Sequence, residues 1–402
     1  MDYSELSEKL TKMLSISEKK ENGIYFSPPS SIQKNIEILK PYFKDIETIL
    51  EPSCGSGEYI TALCNLVKGI NITAIELNKY IYDAIKLKLM THKNLDIMNM
   101  DFLKYNTGKR YGLIIGNPPY YVMKKKDVDK KYLKYFDGRP NIFVLFIVKS
   151  LELLSENGIL SFILPKSFTN CLYYDKLRKY INENYQIIDI LDCSKDKYIE
   201  TQQDTILFVI RKQPVVDNRK FVIHITNYTI ITFKHSILEL KKLYKDSTNL
   251  SKLGFKVSVG TVVWNQCKDI LTDDNTKTRL IYSSDVKNNA LTMKTYSNPK
   301  KKNYIDKEGL TELILVVNRG YGVGSYVFEY CLINEDFQYL IENHLICIRY
   351  VETIEKEELL KLYGLIIESL KNPKTTKFIS TYFGNNAINT TELNYILPIY
   401  EI

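Results

Sequence analysis

A single tryptophan, four histidines and seven cysteines in 402 residues leave this chain little material for disulfide or metal chemistry. The cysteines, at 54, 64, 171, 193, 267, 331 and 347, form no Cys-x-x-Cys pair, and only Cys347 has a histidine close by, His344. A reduced, intracellular chain with no zinc or other metal site is the expectation. The start, Met1-Asp-Tyr-Ser-Glu-Leu-Ser-Glu-Lys-Leu10, has no basic stretch leading into an apolar core. Nowhere does an apolar run approach the roughly 18 residues that suggest a membrane span. A soluble, cytoplasmic protein without membrane contact follows as an expectation. No repeat or low-complexity segment stands out.

Charge is present in both signs, 55 Lys and Arg against 47 Asp and Glu, leaving +8 at pH 7. That balance suits a polyanionic partner and speaks to association rather than to fold. The length holds about two or three domains. Leu6, Leu10, Met13 and Leu14 recur at helical spacing and predict one amphipathic helix over residues 2–20. Between residues 45 and 211 short apolar runs alternate with helical patterns. This is the signature of an α/β fold with a mostly parallel sheet covered by helices on both faces. Gln213-Pro-Val-Val-Asp-Asn-Arg219 reads as a linker between a domain over 1–212 and a mixed α+β domain over 220–402. In the latter, β-rich runs at 221–226 and 313–317 and a helical segment at 354–370 are expected.

The most specific motif is Asn117-Pro118-Pro119-Tyr120, which follows the apolar run Tyr111-Gly-Leu-Ile-Ile-Gly116. An exocyclic amine on a planar base is a poor nucleophile because its lone pair is delocalised into the ring. The Asn117 carboxamide oxygen and the Pro118 carbonyl can both accept from such an amine and turn its lone pair toward an electrophile. Pro118 and Pro119 fix φ and remove N–H groups, so the carbonyls here take the direction the loop imposes. Tyr120 offers a ring to stack on the base.

Upstream, Thr48-Ile-Leu-Glu-Pro-Ser-Cys-Gly-Ser-Gly57 is an apolar run ending in a Gly-rich turn, as where a doubly wound sheet opens a nucleoside crevice. Gly55 and Gly57 allow close backbone approach, Ser53 lies in the same turn, and Glu51 can receive a cationic group. Asn71-Ile-Thr-Ala-Ile75 ends in Glu76, nineteen positions after Gly57. That fits a carboxylate accepting from ribose hydroxyls about 20 residues on. The run from Leu95 delivers Asp101-Phe102, a carboxylate and a ring suited to adenine. A Lys-Ser/Thr phosphate pair and a third glycine in dinucleotide spacing are both missing, so a nucleoside without pyrophosphate fits better.

With these residues in this order the chain resembles the S-adenosyl-L-methionine-dependent amino methyltransferases, and among them the gamma-class N6-adenine DNA methyltransferases of restriction-modification systems. The resemblance covers roughly residues 23–212. Gly23-Ile-Tyr-Phe-Ser-Pro-Pro29 resembles the N-terminal cofactor segment, with Ser27 toward the methionyl end. Asn141-Ile-Phe-Val-Leu-Phe146 and Gly158-Ile-Leu-Ser-Phe-Ile-Leu-Pro165 resemble the next helix and the fifth strand. The resemblance implies a class I, Rossmann-like, mostly parallel seven-stranded sheet whose last strand runs antiparallel, followed by a C-terminal target-recognition domain. It implies S-adenosyl-L-methionine as cofactor and double-stranded DNA as partner, with the protein acting as a monomer on an everted adenine. Whether a separate restriction endonuclease accompanies it stays open. Tyr198, in Ser194-Lys-Asp-Lys-Tyr198, takes the place of the second aromatic that sandwiches the base, where the family often carries Phe. A surface-loop tyrosine is the competing reading.

Candidates for DNA contact are Lys124, Lys125, Lys126 and Arg139, in a run of seven basic and three acidic residues over 124–139. In the C-terminal part, residues 252–268 and 317–326 read as hairpin-like loops. They offer Asn265, Gln266, Lys268 and Arg319 to base edges, with Trp264 as a core anchor. Two other readings stay open: an RNA adenine methyltransferase, and a catalytically inactive DNA-specificity protein. Cytosine-C5 chemistry lacks its Pro-Cys pair, and no convincing nuclease pairing accompanies the motifs.

Overall fold

The computed structural model of the chain describes residues 2–67, 69–318, 328–382 and 388–400. It divides into two compact units, residues 1–237 and 238–402.

The first unit opens with helices α1 (Glu5–Met13), α2 (Ile16–Asn22) and α3 (Pro29–Leu39). One helix was expected over 2–20, and two are present. Ser15 breaks the run because its extended backbone caps α2, its hydroxyl accepting from Glu18 N. Leu10 and Leu14 are buried, whereas Met13 is exposed. Then follow β1 (Thr48–Glu51), α4 (Glu58–Leu66), β2 (Asn71–Glu76), α5 (Lys79–Leu89), β3 (Leu95–Asn99) and β4 (Tyr111–Gly116). Next come α6 (Ile142–Leu153), β5 (Leu154–Pro165), α7 (Asp175–Asn184), β6 (Gln186–Asp192) and β7 (Thr205–Arg211).

These seven strands form one sheet in the order β3-β2-β1-β4-β5-β7-β6, with β7 antiparallel to both neighbours and the other pairings parallel. The expected α/β sheet is present. Both faces of the parallel strands are buried: Ile49, Leu113 and Ile115 pack into one apolar layer, Leu50, Tyr111 and Ile114 into the other. That explains why these strands read as continuous apolar runs rather than alternating ones. Strand order reverses between β1 and β4, which places a crevice at their carboxyl ends.

The hairpin β8 (Val222–Ile225) and β9 (Tyr228–Ile231) belongs to this unit, not to the C-terminal domain expected from residue 220. Arg178, fully buried on α7, donates to the carbonyls of Thr229, Phe168 and Cys171, and Asp175 accepts from Thr229 N at 2.7 Å. Phe221, Val222, Ile231 and Phe233 join the same core. The compact division therefore follows Ile237, whereas the sequence placed the break at 213–219.

In the second unit a four-stranded antiparallel sheet joins Phe255–Val259, Leu345–Tyr350, Ile314–Asn318 and Tyr330–Ile333. The unit also holds a second four-stranded sheet, an Ala290–Leu291 hairpin with Val286–Lys287, the pair Ser247–Thr248 with Ile399–Tyr400, and helices Lys356–Lys371, Pro373–Tyr382 and Thr390–Tyr395. The expected hairpin over 252–268 is absent. Phe255–Val259 pairs with Leu345–Tyr350 instead, and a short 3-10 turn follows at Trp264–Gln266. Among the described residues no helix is long and apolar enough to cross a membrane.

Candidate functional site

Four strand ends carry the sequence-selected residues. At the end of β1, Glu51 is buried, and among the described residues its Oε2 has no hydrogen-bond partner. Burial pushes its carboxyl well above the usual range, and the nearby Glu76 and Glu58 push in the same direction. A buried carboxylate left unpaired is costly, so burial here favours the protonated carboxyl. The Gly-rich turn adopts left-handed backbone at Gly55 (φ 51°) and Gly57 (φ 77°), and Gly57 leads into α4. At both, φ disfavours a side chain.

Glu76, the last residue of β2, is buried, and its two oxygens accept from Gly55 N at 2.9 Å and Asn78 N at 2.7 Å. It thereby fixes the shape of the Gly-rich turn and keeps further lone pairs. Burial raises its carboxyl, with the backbone N–H groups opposing. Asp101, after β3, accepts from Leu103 N at 2.9 Å and remains partly exposed. Phe102 does not present a ring to an open site: it is 2% exposed and packs on Phe146 at 4.9 Å between ring centroids. Its neighbour Asp101 stays partly exposed, two residues past the end of β3, where its side chain caps the 3-10 turn Phe102–Lys104.

Asn117, after β4, has both ends of its carboxamide engaged. Nδ2 donates to Tyr25 O at 3.2 Å, and Oδ1 accepts from the Tyr120 hydroxyl at 2.5 Å. That hydroxyl also lies 2.8 Å from Ile163 O, so its one proton is shared. Tyr120 packs edge-on against Phe143 and is held in the site by its hydroxyl. Burial raises its pKa well above the ordinary value. Ser53 Oγ donates to Asn117 O at 3.2 Å, joining the first loop to the fourth. A Cβ on Gly116 would stand 3.8 Å from Glu51 Oε1, which places that carboxyl beside the start of the Asn-Pro-Pro-Tyr loop.

Tyr198 is no surface tyrosine. It is 9% exposed, its hydroxyl makes no hydrogen bond of good geometry, and it faces Thr205, Tyr120 and Asn117. Burial raises its pKa. Ser27 is buried directly before Pro28. The segment from Gly23 to Phe26 abuts the Asn-Pro-Pro-Tyr loop, as the Tyr25 to Asn117 bond requires.

Sequence reasoning missed the ties that hold these loops. The Ser7 hydroxyl on α1 donates to Glu58 and lies 2.7 Å from Ser56 Oγ, binding the N-terminal helix to the Gly-rich turn. Buried Lys19 donates to Glu200 Oε2 at 2.5 Å, and Asp196 accepts from Ser31 at 2.7 Å and from Lys34, which together pin the loop carrying Tyr198. Pairs 181 or 165 positions apart leave no local pattern to find.

Lys124, Lys125, Lys126 and Arg139 are exposed, on a segment anchored by buried Val128, Tyr132, Tyr135 and Phe136. In the second unit Asn265, Gln266 and Lys268 are exposed, and Trp264 packs at the edge of an apolar cluster with Lys268 and Lys301 over its ring. Arg319 lies outside the described residues, as does most of the loop over 317–326.

Residues 10–199 match the family described as Eco57I restriction-modification methylase. The chain is similar to the modification methylase CviBIII of Paramecium bursaria Chlorella virus NC1A, 26% identical over 406 residues that span 99% of each chain. It is similar also to the type II methyltransferase M.CvrRI of Paramecium bursaria Chlorella virus XZ-6E, 25% identical over 86% of this chain and 88% of that one. Among solved structures it resembles a chain of the DrdV–DNA complex, with a TM-score of 0.59 and 13% identity, covering 98% of this chain and 57% of that one. At that identity the likeness concerns the fold. The seven-stranded sheet, with β7 antiparallel, is the arrangement expected from the resemblance to class I S-adenosylmethionine-dependent methyltransferases.

Proposed function

We propose, from the premise that residues 10–199 are a methylase domain of the Eco57I restriction-modification family, that this chain methylates N6 of an adenine in double-stranded DNA, as a cytoplasmic monomer. The observation that carries this reading is the meeting of Asn117 Oδ1, Tyr120 and Tyr198 beside the buried carboxyl of Glu51, whose Oε2 has no partner among the described residues. S-adenosyl-L-methionine is the methyl donor, and when bound it supplies an electrophilic methyl group on a sulfonium. The residues present fit it: Glu51 has an unsatisfied buried oxygen for a cationic group, Gly55 and Gly57 leave room at the backbone, and Glu76 retains lone pairs for hydroxyl donors. Asp101 would accept from an adenine amine, while Ser27 and Ser53 line the approach. Phe102 would support this wall from within the core.

On the substrate side, an amine within a base pair is out of reach, so the target base must leave the stack. Asn117 Oδ1 and the Pro118 carbonyl accept from the amine. Tyr120 and Tyr198 flank the ring. The amine gains positive charge as the new N–C bond forms, and the acceptor pair stabilises that charge; its proton leaves afterward to water. Preorganised acceptors and in-line placement supply the rate enhancement, and no strong general base is needed. Lys124, Lys125, Lys126, Arg139 and the second unit's Asn265, Gln266 and Lys268 are proposed DNA contacts, with residues 238–402 acting as the target-recognition part.

The test is transfer of labelled methyl from S-adenosylmethionine to duplex DNA, RNA and protein in parallel, followed by mapping of the modified base. Label in N6-methyladenine of duplex DNA supports the reading. Label in RNA, or cofactor binding without transfer to any substrate, overturns it.

A further inference from the structure

Residues 286–302 hold five lysines and no acidic residue in seventeen positions, in a chain where the two signs are otherwise nearly balanced. The segment begins as a two-residue hairpin. Val286–Lys287 pairs with Ala290–Leu291, and Asn288 (φ 52°) and Asn289 (φ 58°) make the tight turn, the left-handed pair that such hairpins require. Beyond the hairpin the chain stays exposed, with 287–290, 292–295 and 297–300 all open to solvent.

The base of the segment is firmly fixed. Asp285 is buried and accepts from Tyr282 N and the Tyr296 hydroxyl, both at 3.0 Å. Its carbonyl accepts from Thr292 N at 2.7 Å. Lys301 lies over the rings of Tyr282 and Tyr296, 4.0 and 4.1 Å from their centroids. Asn289 Oδ1 accepts from Tyr330 N at 3.2 Å and ties the turn to the neighbouring strand. Against this anchoring, Lys287, Lys294 and Lys300 have no carboxylate within ion-pair distance among the described residues. Lys302 pairs with Asp273 and Lys301 is taken up by the tyrosine rings, but the other three lysines neutralise no carboxylate among the described residues, and a stretch with no acidic residue between them is complementary to a regular polyanion.

We infer that the segment 286–302 is a duplex-DNA-binding element of the second unit, with Lys287, Lys294 and Lys300 on phosphates and the Asn288 turn toward a groove. A two-stranded ribbon fits the major groove, and side chains such as Asn288, Thr295 and Ser297 both donate and accept, as contact with base edges and phosphate oxygens demands. The rigid Asp285–Tyr296–Lys301 base means that little ordering is needed on contact, which favours affinity. This inference rests on the DNA reading proposed above and names a contact surface additional to the candidates selected from the sequence.

The test uses the full chain, a duplex carrying its mapped site, and a triple variant Lys287→Ala, Lys294→Ala, Lys300→Ala, with the corresponding Lys→Arg variant as control. Dissociation constants are measured over a range of salt concentrations. The expected result is a salt slope shallower by roughly 0.9 per lysine removed, and affinity near 0.15 M salt lower by roughly a hundredfold, with the Arg variant close to the parent. Affinity for S-adenosylmethionine, measured calorimetrically, should stay at the parent value. A parent protein that binds the duplex with a steep slope left unchanged in the triple variant overturns this inference alone. A parent protein that prefers an RNA duplex overturns it together with the DNA reading.

Discussion

The Tyr120 hydroxyl donates to Asn117 Oδ1 at 2.5 Å, so the side chain proposed to hold the base's ring occupies the acceptor proposed to hold its amine. Before the base arrives this bond satisfies a polar group that would otherwise lie idle in a partly buried site. On arrival the hydroxyl must yield Oδ1, and its second acceptor, Ile163 O at 2.8 Å, is in place to receive it. Tyr120→Phe should therefore keep stacking and lose the competing donor, leaving the transfer rate within a few-fold of the parent. Tyr120→Ala should cost about 1–3 kcal/mol in base stacking, roughly ten- to a hundredfold in transfer efficiency. Equal losses in the two variants, in steady-state kinetics, would mean that the hydroxyl and not the ring is what matters.

Asn117→Ala removes an acceptor that acts on developing charge. Loss of one such group costs about a hundred- to a thousandfold in kcat. Cofactor affinity should change little, because the carboxamide's partners in this structure are Tyr25 O and Tyr120. Calorimetric loss of cofactor binding in this variant would place Asn117 among the donor's contacts instead.

Glu51 carries a pH dependence whose sign can be worked out. Its folded-state pKa is raised by burial above the ordinary 4.5, so the folded ligand-free protein retains a proton that the unfolded chain has lost. Stability of the ligand-free protein is thus fully present below about 4.5 and falls as pH rises toward the folded value. Over the same window a cationic ligand must expel the proton, so its affinity rises with pH, by at most about tenfold per unit. Thermal unfolding of Glu51→Gln should lose this stability slope, and calorimetry should find weaker cofactor binding with little pH dependence. A variant that binds the cofactor as tightly as the parent would detach Glu51 from it.

Gly23 ends α2 with φ 64°, and a Cβ there would meet Tyr120 N at 2.8 Å and the Pro119 side chain at 3.0 Å. Backbone strain and overlap act together at this point. Gly23→Ala should lower unfolding stability by about 2–4 kcal/mol in denaturant titration, or else displace the Asn-Pro-Pro-Tyr loop and lower the transfer rate. A variant unchanged in both would show that residues 23–26 do not press on the loop in solution.

Much of the first unit could be read from the chain because parallel strands buried on both faces must be apolar throughout, and because the residues at their carboxyl ends depart from that pattern. Glu51, Glu76, Asp101 and Asn117 are polar interruptions directly after apolar runs, and each sits where a strand of the sheet ends. Phe102 shows the limit of such reading: an aromatic at a strand end looks the same in sequence whether it faces a crevice or, as here, Phe146 in the core. The 220–231 hairpin shows another, since its strand pattern could not announce that Arg178 on α7 would claim the Thr229 carbonyl.

What the sequence alone determined was the class of sheet and the identity of the polar residues at its carboxyl edge, since periodicity and chain order are local properties. Only the tertiary structure decided that Tyr198 faces Asn117, that Lys19 and Glu200 pin its loop, that Glu51 Oε2 lacks a partner among the described residues, and that the Tyr120 hydroxyl closes the acceptor. Each of those facts depends on residues that are far apart in the chain or on water being excluded from the space between them. Burial and long-range pairing arise when the layers pack, and no local spacing encodes them.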